Sequence, residues 1–201
     1  VGIVKFMDHP SLDQIKSSLH AELDALGKEL GVTFNYADYS ANGQMDGTIL
    51  QQIGAQMIAN DVDVIVPIAT PAVQAMLAAA EDTDIPIIFS AVSDPIKDGI
   101  VADLNAPGGK ATGTSDALNT EMVMDLMLAA NPDIQKVGLL YSKSESASAK
   151  PVEEAKAYLA AKGIAVEEKT GTNTNEISSA VDALVAARVD AIFTPTDNTV
   201  Q

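Results

Sequence analysis

The chain has 201 residues, no cysteine and two histidines, and 28 acidic against 12 basic side chains give it a formal charge of −16. The lack of cysteine excludes thiol catalysis, disulfide scaffolds and Cys/His zinc sites, and the charge disfavours binding to nucleic acids or anionic membrane surfaces. Because 47% of the residues are hydrophobic, we expect a packed globular chain rather than a disordered one.

The first half of the chain alternates short apolar runs with amphipathic stretches. Four apolar runs predict buried strands: residues 1–6, 32–36, 62–68 and 85–89. Three amphipathic stretches predict helices: residues 11–30, 44–60 and 70–80. Ser11 and Thr70 are the predicted N-caps of two of these helices, and Gly31 marks a helix end. This βαβ series predicts a parallel sheet with helices on both faces.

The opening pattern recurs in the second half, after a predicted helix over residues 120–130. Val137-Gly138 repeats Val1-Gly2, and residues 189–192 repeat residues 62–65 in the same order along the chain. We therefore predict an α/β fold of two similar doubly wound parallel-sheet lobes, over residues 1–116 and 117–201. The second lobe is incomplete by comparison with the first, so we expect the chain to be part of a longer protein.

Ligands of open parallel sheets bind at the carboxyl ends of the strands, so the loops at those ends supply the candidate site. They are rich in small hydroxyl residues and isolated carboxylates, which can hold the ammonium and carboxylate of a zwitterion. The candidate substrate-binding residues are His9, Ala69, Thr70, Val92, Ser93, Asp94, Ser115, Asp116, Tyr141, Ser144, Glu145, Thr196, Asp197 and Asn198. Purely structural roles stay open for several of them: an N-cap for Thr70, turns for Asp94 and Asp197, and packing for Tyr141.

Two stretches of the sequence match part of an enzyme motif but lack its remaining residues. Residues 113–117 begin like a nucleophile elbow but end in alanine, and Lys110 follows two glycines without the spacing of a phosphate loop. We find no catalytic constellation, no metal site and no need for a cofactor, and we expect a binding protein rather than an enzyme. No apolar run approaches the roughly 20 residues of a membrane-spanning helix.

Four stretches, taken in order, are similar to the solute-binding proteins of bacterial ABC transporters, in the branch linked to uptake of tryptophan and related aromatic amino acids. These stretches are residues 61–72, 85–95, 107–116 and 195–199. The resemblance implies the type I periplasmic-binding-protein fold, with an amino acid held in the cleft between the lobes and delivered to a membrane permease. It also implies an extracytoplasmic location, often with a lipid anchor, and no contact with nucleic acid.

The resemblance also implies roles for the candidate residues. Thr70 and the backbone around it would receive the ligand carboxylate, helped by Ser93 or Ser115. Asp197 with Asn198 would hold the α-ammonium, and Asp94 and Asp116 are second choices for this role. Ser144 and Glu145 would approach from the second lobe, and the ligand side chain would rest on Val92, His9 or Tyr141.

Two questions stay open at the level of sequence. Aromatic amino acids are the expected ligands, but the chain has no Trp and only eight Phe and Tyr residues for stacking, so aliphatic amino acids are alternatives. The same fold also forms the ligand-sensing effector domain of sugar-responsive regulators. That alternative needs a DNA-binding module, and the acidic charge disfavours it.

Overall fold

The computed structural model describes residues 1–200, within which eight β-strands and six α-helices alternate along the chain. These elements divide into two compact units, Val1–Asp116 (unit 1) and the residues from Ala117 onward (unit 2). Each unit has its own sheet and its own apolar core, and each is described by itself below.

Unit 1 is built on a parallel sheet with the strand order β2-β1-β3-β4-β5. Its elements in chain order are β1 (Gly2–Lys5), α1 (Pro10–Leu30), β2 (Ser40–Asn42), α2 (Gly47–Ala59), β3 (Ile65–Ile68), α3 (Thr70–Ala79), β4 (Ile87–Val92) and β5 (Ala111–Ser115). Every strand pair in this sheet is parallel, so all five carboxyl ends lie at one edge.

Helices cover both faces of the unit 1 sheet, because successive side chains of a strand point to opposite faces. Ile3 of β1 belongs to an apolar cluster with Leu12 of α1. Its neighbour Val4 belongs to a separate cluster with Leu50 of α2 and Met76 of α3. All five side chains are almost completely buried, which confirms the predicted doubly wound arrangement.

Unit 2 repeats this plan with the strand order β7-β6-β8. Its elements in chain order are α4 (Thr120–Ala130), β6 (Lys136–Tyr141), α5 (Ser146–Ala161), β7 (Ala165–Thr170), α6 (Thr174–Ala186) and β8 (Ala191–Phe193). Leu139 packs with residues of α4 and α5 on one face, and Leu140 packs with Leu184 of α6 on the other.

The strand register shows that the two units share one repeated βαβαβ plan. Gly2 of β1 pairs with Ile65 of β3, and Gly138 of β6 pairs with Ile192 of β8. In both sheets the first strand of the repeat lies between the second and third. The predicted repeat, and with it the prediction of two similar α/β lobes, is confirmed.

The predicted strand over residues 32–36 is wrong: the strand that pairs with β1 is β2, at Ser40–Asn42. Tyr36 of the predicted stretch packs against helix α1 instead. The Tyr36 ring stacks on His20 with ring centroids 4.3 Å apart, and its hydroxyl donates to Asp24 at 2.7 Å. The alternation that indicated a strand therefore reflects packing against a helix rather than pairing in the sheet.

Gly113 of β5 provides a test of the unit 1 sheet. A Cβ at this position would lie 2.0 Å from the carbonyl oxygen of Phe89 on β4, so Gly113→Ala forces two paired strands apart. We expect a loss of about 3 kcal/mol in the free energy of unfolding, measured by denaturant titration.

Gly47→Ala is the matched control for this substitution. Gly47 begins helix α2, and a Cβ there meets no atom of the described residues within 4 Å. Because alanine is the better helix former, we expect a gain of about 0.5 to 1 kcal/mol. Equal effects of the two substitutions would contradict the close strand approach at Gly113.

Candidate functional site

The carboxyl edge of the unit 1 sheet presents the N-terminus of helix α3. Ala69 occupies the N-cap position, so within residues 1–200 no side chain caps this terminus. Pro71 has no N–H, which leaves the N–H groups of Thr70 and Ala72 as the donors of the first turn. The Thr70 hydroxyl adds a third donor, since the residue is only 2% exposed and makes no hydrogen bond through its side chain in the described chain.

Ala69 also holds an unusual backbone conformation, with φ 77° and ψ 146°. This region of φ/ψ space is populated almost only by glycine and costs an alanine roughly 1–3 kcal/mol. The Ala69 N–H donates to the Ser90 carbonyl at 3.0 Å, which ties the end of β3 to the neighbouring strand β4. The strain is therefore held in place by the sheet, at the point where α3 meets the carboxyl edge.

The crossover from β4 to β5 contributes a polar loop to the same edge. Ser93 donates to Asp116 Oδ1 at 3.0 Å, and Ser115 donates to the Ser93 carbonyl at 3.4 Å. Asp94 accepts from the backbone N–H of Lys97 at 3.2 Å, as a turn residue does. Val92 is fully buried in the core cluster under α2 and α3, which gives it a packing role.

His9 and Lys5 lie at the end of β1. His9 is the N-cap of α1 and accepts from the Ser11 N–H, in place of the predicted cap Ser11. Lys5 is 6% exposed and forms ion pairs with Asp8 and Asp13. Burial opposes the protonated form of Lys5, but the two carboxylates outweigh it and raise the pKa of the ammonium group. Lys5 is not among the residues predicted from the sequence, although a lysine inside an otherwise apolar strand is a signal that could have identified it.

In unit 2 the carboxyl ends of β6 and β8 bring two carboxyl groups together. Asp197, in the loop after β8, is fully buried. Its Oδ2 accepts from the Ser142 N–H at 2.7 Å and from the Ser148 hydroxyl at 2.6 Å. Its Oδ1 accepts from the N–H groups of Thr199 at 2.9 Å and Val200 at 3.3 Å. Both oxygens are thus fully used by the chain itself.

Glu145, at the N-terminus of α5, is the second carboxyl group and is 6% exposed. Its Oε2 accepts from the side-chain amide of Asn198 at 2.7 Å, whereas its buried Oε1 has no hydrogen-bond partner in the described part of the chain. Burial raises the pKa of the Glu145 carboxyl, and the nearby charge of Asp197 raises it further. The Asn198 amide and the N–H groups of Ala147 and Asn198 oppose this rise without completing a bond to Oε1.

The remaining predicted residues of unit 2 lie around this pair. Ser144 is exposed, and its hydroxyl bonds to that of Ser142 at 2.7 Å; Thr196 is half-buried beside Asp197. Tyr141 donates to Glu168 Oε1 at 2.5 Å, and burial together with this bond raises its pKa to about 12. Ser148 is not among the predicted site residues, because it lies within α5 and the prediction considers only the loops at strand ends.

The alternatives to the strand ends are a surface cavity, a metal-ligating cluster and a membrane-spanning helix. In unit 2, a surface cavity of about 690 Å³ lies against α4 and α5, but its Thr120 hydroxyl already donates to Glu154 at 2.7 Å. Residues 1–200 contain no cluster of three or more His, Cys, Asp or Glu residues suited to a metal ion. In the same range, no helix is long and apolar enough to cross a membrane. The strand ends therefore remain the candidate site.

Comparison with known proteins gives a family match over the whole chain. The model of the family described as "ABC transporter substrate binding protein" matches residues 1–201. A tyrosine-binding protein of Clostridioides difficile is 34% identical over 198 residues, which cover 98% of this chain and 56% of that protein.

Solved structures of substrate-binding proteins also match this chain over nearly its whole length. An ABC domain from Streptococcus pneumonia in complex with L-Trp is 37% identical, with a TM-score of 0.87 over 99% of this chain and 66% of that one. A leucine-binding protein of Thermotoga maritima, 14% identical with a TM-score of 0.66 over 96% of this chain and 56% of its own, shares the fold. The chain thus spans between about half and two thirds of the length of these relatives.

The four hydrogen bonds of Asp197 lead to a testable expectation. Asp197→Ala leaves donors of Ser142, Ser148 and the loop after β8 without their acceptor, so we expect a loss of about 3 kcal/mol in stability. Thermal melting of the variant measures this loss. The matched control is Asp182→Ala on the exposed face of α6, which should melt within a degree or two of the wild type. Equal melting of the two variants would refute a structural role for Asp197.

Proposed function

The chain belongs to the ABC transporter substrate-binding protein family, and from this premise we propose that it captures a small zwitterionic solute for import. The match over all residues confirms the family resemblance predicted from the sequence. It also agrees with the expectation of binding rather than catalysis. The importer component is favoured over the effector domain of a regulator, because the matched family and its relatives are substrate-binding proteins.

We propose an amino acid as the solute, with aromatic amino acids favoured. The relatives support this proposal, since one is named for tyrosine and another was solved with L-Trp. Both are more than 30% identical to this chain and match it over 98% or more of its length. Each unit by itself presents chemistry suited to one end of a zwitterion: open N–H donors at the strand ends of unit 1, and carboxyl groups at the strand ends of unit 2.

The observation that carries the proposal is the uncapped N-terminus of α3 with the buried hydroxyl of Thr70. The N-terminus of a helix carries a partial positive charge and unsatisfied N–H groups, and it favours an anion. The Thr70 hydroxyl accepts or donates no hydrogen bond among those of the described residues, so it is available to donate to a ligand at this terminus. We propose that the carboxylate of the amino acid is this acceptor, held by Thr70 and the backbone from Ala69 to Ala72.

For the other residues predicted from the sequence, the ligand-binding roles given above stay proposals. Ser93, Ser115, Asp94 and Asp116 form the polar loop beside α3, and His9 lies at the end of β1. The proposed partner is the permease of an ABC importer, and the proposed location is extracytoplasmic, with a lipid anchor as one means of retention. The family supports these assignments.

A ligand panel tests the function. In the full-length protein, isothermal titration calorimetry should detect binding of L-tyrosine or L-tryptophan and no binding of glucose or galactose. An aliphatic amino acid such as L-leucine measures how strictly the ligand must be aromatic. Tight binding of a sugar without binding of any amino acid would overturn the proposal.

Thr70→Val tests the carboxylate role of this residue within the same protein. Valine keeps the shape and removes the hydroxyl, so we expect amino-acid affinity to fall roughly 10- to 100-fold, the value of a hydrogen bond to a charged group. Thr33→Val, at an exposed position outside the strands and helices, is the matched control and should bind as the wild type does. Equal affinities of both variants would remove Thr70 from the site.

A further inference from the structure

Two carboxyl groups are buried side by side at the carboxyl edge of the unit 2 sheet, and no cation pairs with either of them among the contacts of the described residues. Every donor to Asp197 and Glu145 is a neutral amide or hydroxyl. Buried carboxylates in proteins are normally paired with a cation or fully hydrogen-bonded. Asp197 meets the second condition, and Glu145 meets neither.

The distribution of hydrogen bonds separates the roles of the two groups. Each oxygen of Asp197 accepts two bonds, so this residue has no lone pair left for a ligand. The same bonds join the β8 loop to Ser142 and to Ser148 on either side of Glu145. Asp197 is therefore placed to fix the backbone that carries Glu145.

Glu145 has the opposite properties. Its Oε1 has no partner in the chain as described, although the residue is more than nine-tenths buried. Leaving a buried acceptor unsatisfied is destabilising, and more so when the group is charged. Asn198, which bonds to the other oxygen, is half-buried, and Ser144 beside Glu145 in the sequence is exposed. The cluster thus reaches the surface on the side of these two residues.

We infer that Glu145 Oε1 receives the cationic group of the solute and that Asp197 is a positioning residue for the Glu145 loop. This inference rests on the proposed function and assigns the ammonium of the amino acid to Glu145 in place of Asp197. A primary ammonium supplies both the missing donor and the missing positive charge. The elevated pKa of Glu145 agrees with this role, because an unpaired buried carboxyl group resists ionisation until a cation arrives.

Glu145→Gln tests the assignment in the full-length protein. Glutamine keeps the shape and can still accept from Asn198, but its NH2 group replaces Oε1 and presents a donor to the ammonium instead of a charged acceptor. We expect L-tyrosine affinity to fall about 10- to 100-fold by calorimetry. The analogue without the amino group, 3-(4-hydroxyphenyl)propanoate, should bind both proteins equally or bind the variant better.

Glu167→Gln on β7 is the matched control, since this partly exposed glutamate pairs with Lys169 on the same strand. The control should bind L-tyrosine as the wild type does. If the wild type binds and Glu145→Gln binds equally well, the inference is overturned while the proposed function stands. If the wild type binds no amino acid at all, the proposed function itself has failed.

Proton release gives a second measurement that needs no variant. The ligand-free pKa of Glu145 is raised by burial and by Asp197, while Lys143 in the same loop is exposed and Ser148 of α5 is uncharged. An ammonium at Oε1 lowers this pKa, so binding releases a proton at pH values between the bound and free pKa. Affinity should therefore rise with pH through this window and level off above it. Calorimetry at the same pH in MES and in acetate or phosphate, which differ in their enthalpies of ionisation, detects the proton, and the absence of release at every pH below neutrality would contradict the assignment.

Discussion

Both units depend on a buried first strand that is paired on both sides with parallel neighbours. β1 is buried along its whole length, and β6 is buried from its second residue onward. A parallel strand in this position must send its chain back over the sheet through a helix, so every loop that follows a strand emerges at the same edge. The polar residues of the loops that follow the strands therefore lie together at that edge of each unit.

Most polar groups at these edges are hydrogen-bonded or ion-paired within the chain, and the proposed binding roles rest on the few that are not. Lys5 at the end of β1 is buried but has two carboxylate partners, so it anchors α1 to the sheet. Asp197 is likewise fully bonded. Glu145 is deeply buried, and its Oε1 has no hydrogen-bond partner within the described residues. Native interiors rarely leave such groups unpaired unless a ligand or water completes them.

The sequence predicted elements well where local signals and tertiary packing agree. The helix over residues 120–130 was placed correctly, and in the structure the Asn119 side chain caps it by accepting from the Met122 N–H. The strand over residues 32–36 failed because alternating apolar residues suit a helix surface as well as a sheet. The sequence also predicts the strand-end loops as candidate sites. It does not show that both oxygens of Asp197 are fully hydrogen-bonded, because one donor is Ser148, which is 49 residues away in the chain. Long-range hydrogen bonds of this kind leave no local pattern in a sequence.

The repeat explains why the two edges differ in chemistry. Ile65 and Ile192 hold the same register position, opposite the glycine of the first strand, and Thr70 and Asp197 each follow five residues later. In unit 2 the carboxylate at this place accepts the backbone N–H groups that follow it, so the chain supplies its own anion. In unit 1 no side chain of the described residues caps the terminus, because the N-cap residue Ala69 has no polar side-chain atom, and this leaves the N–H groups of the first turn open. One backbone plan thus leaves N–H donors open where the cap is missing. Where the cap is present, the group left without a partner in the described residues is Oε1 of the neighbouring Glu145.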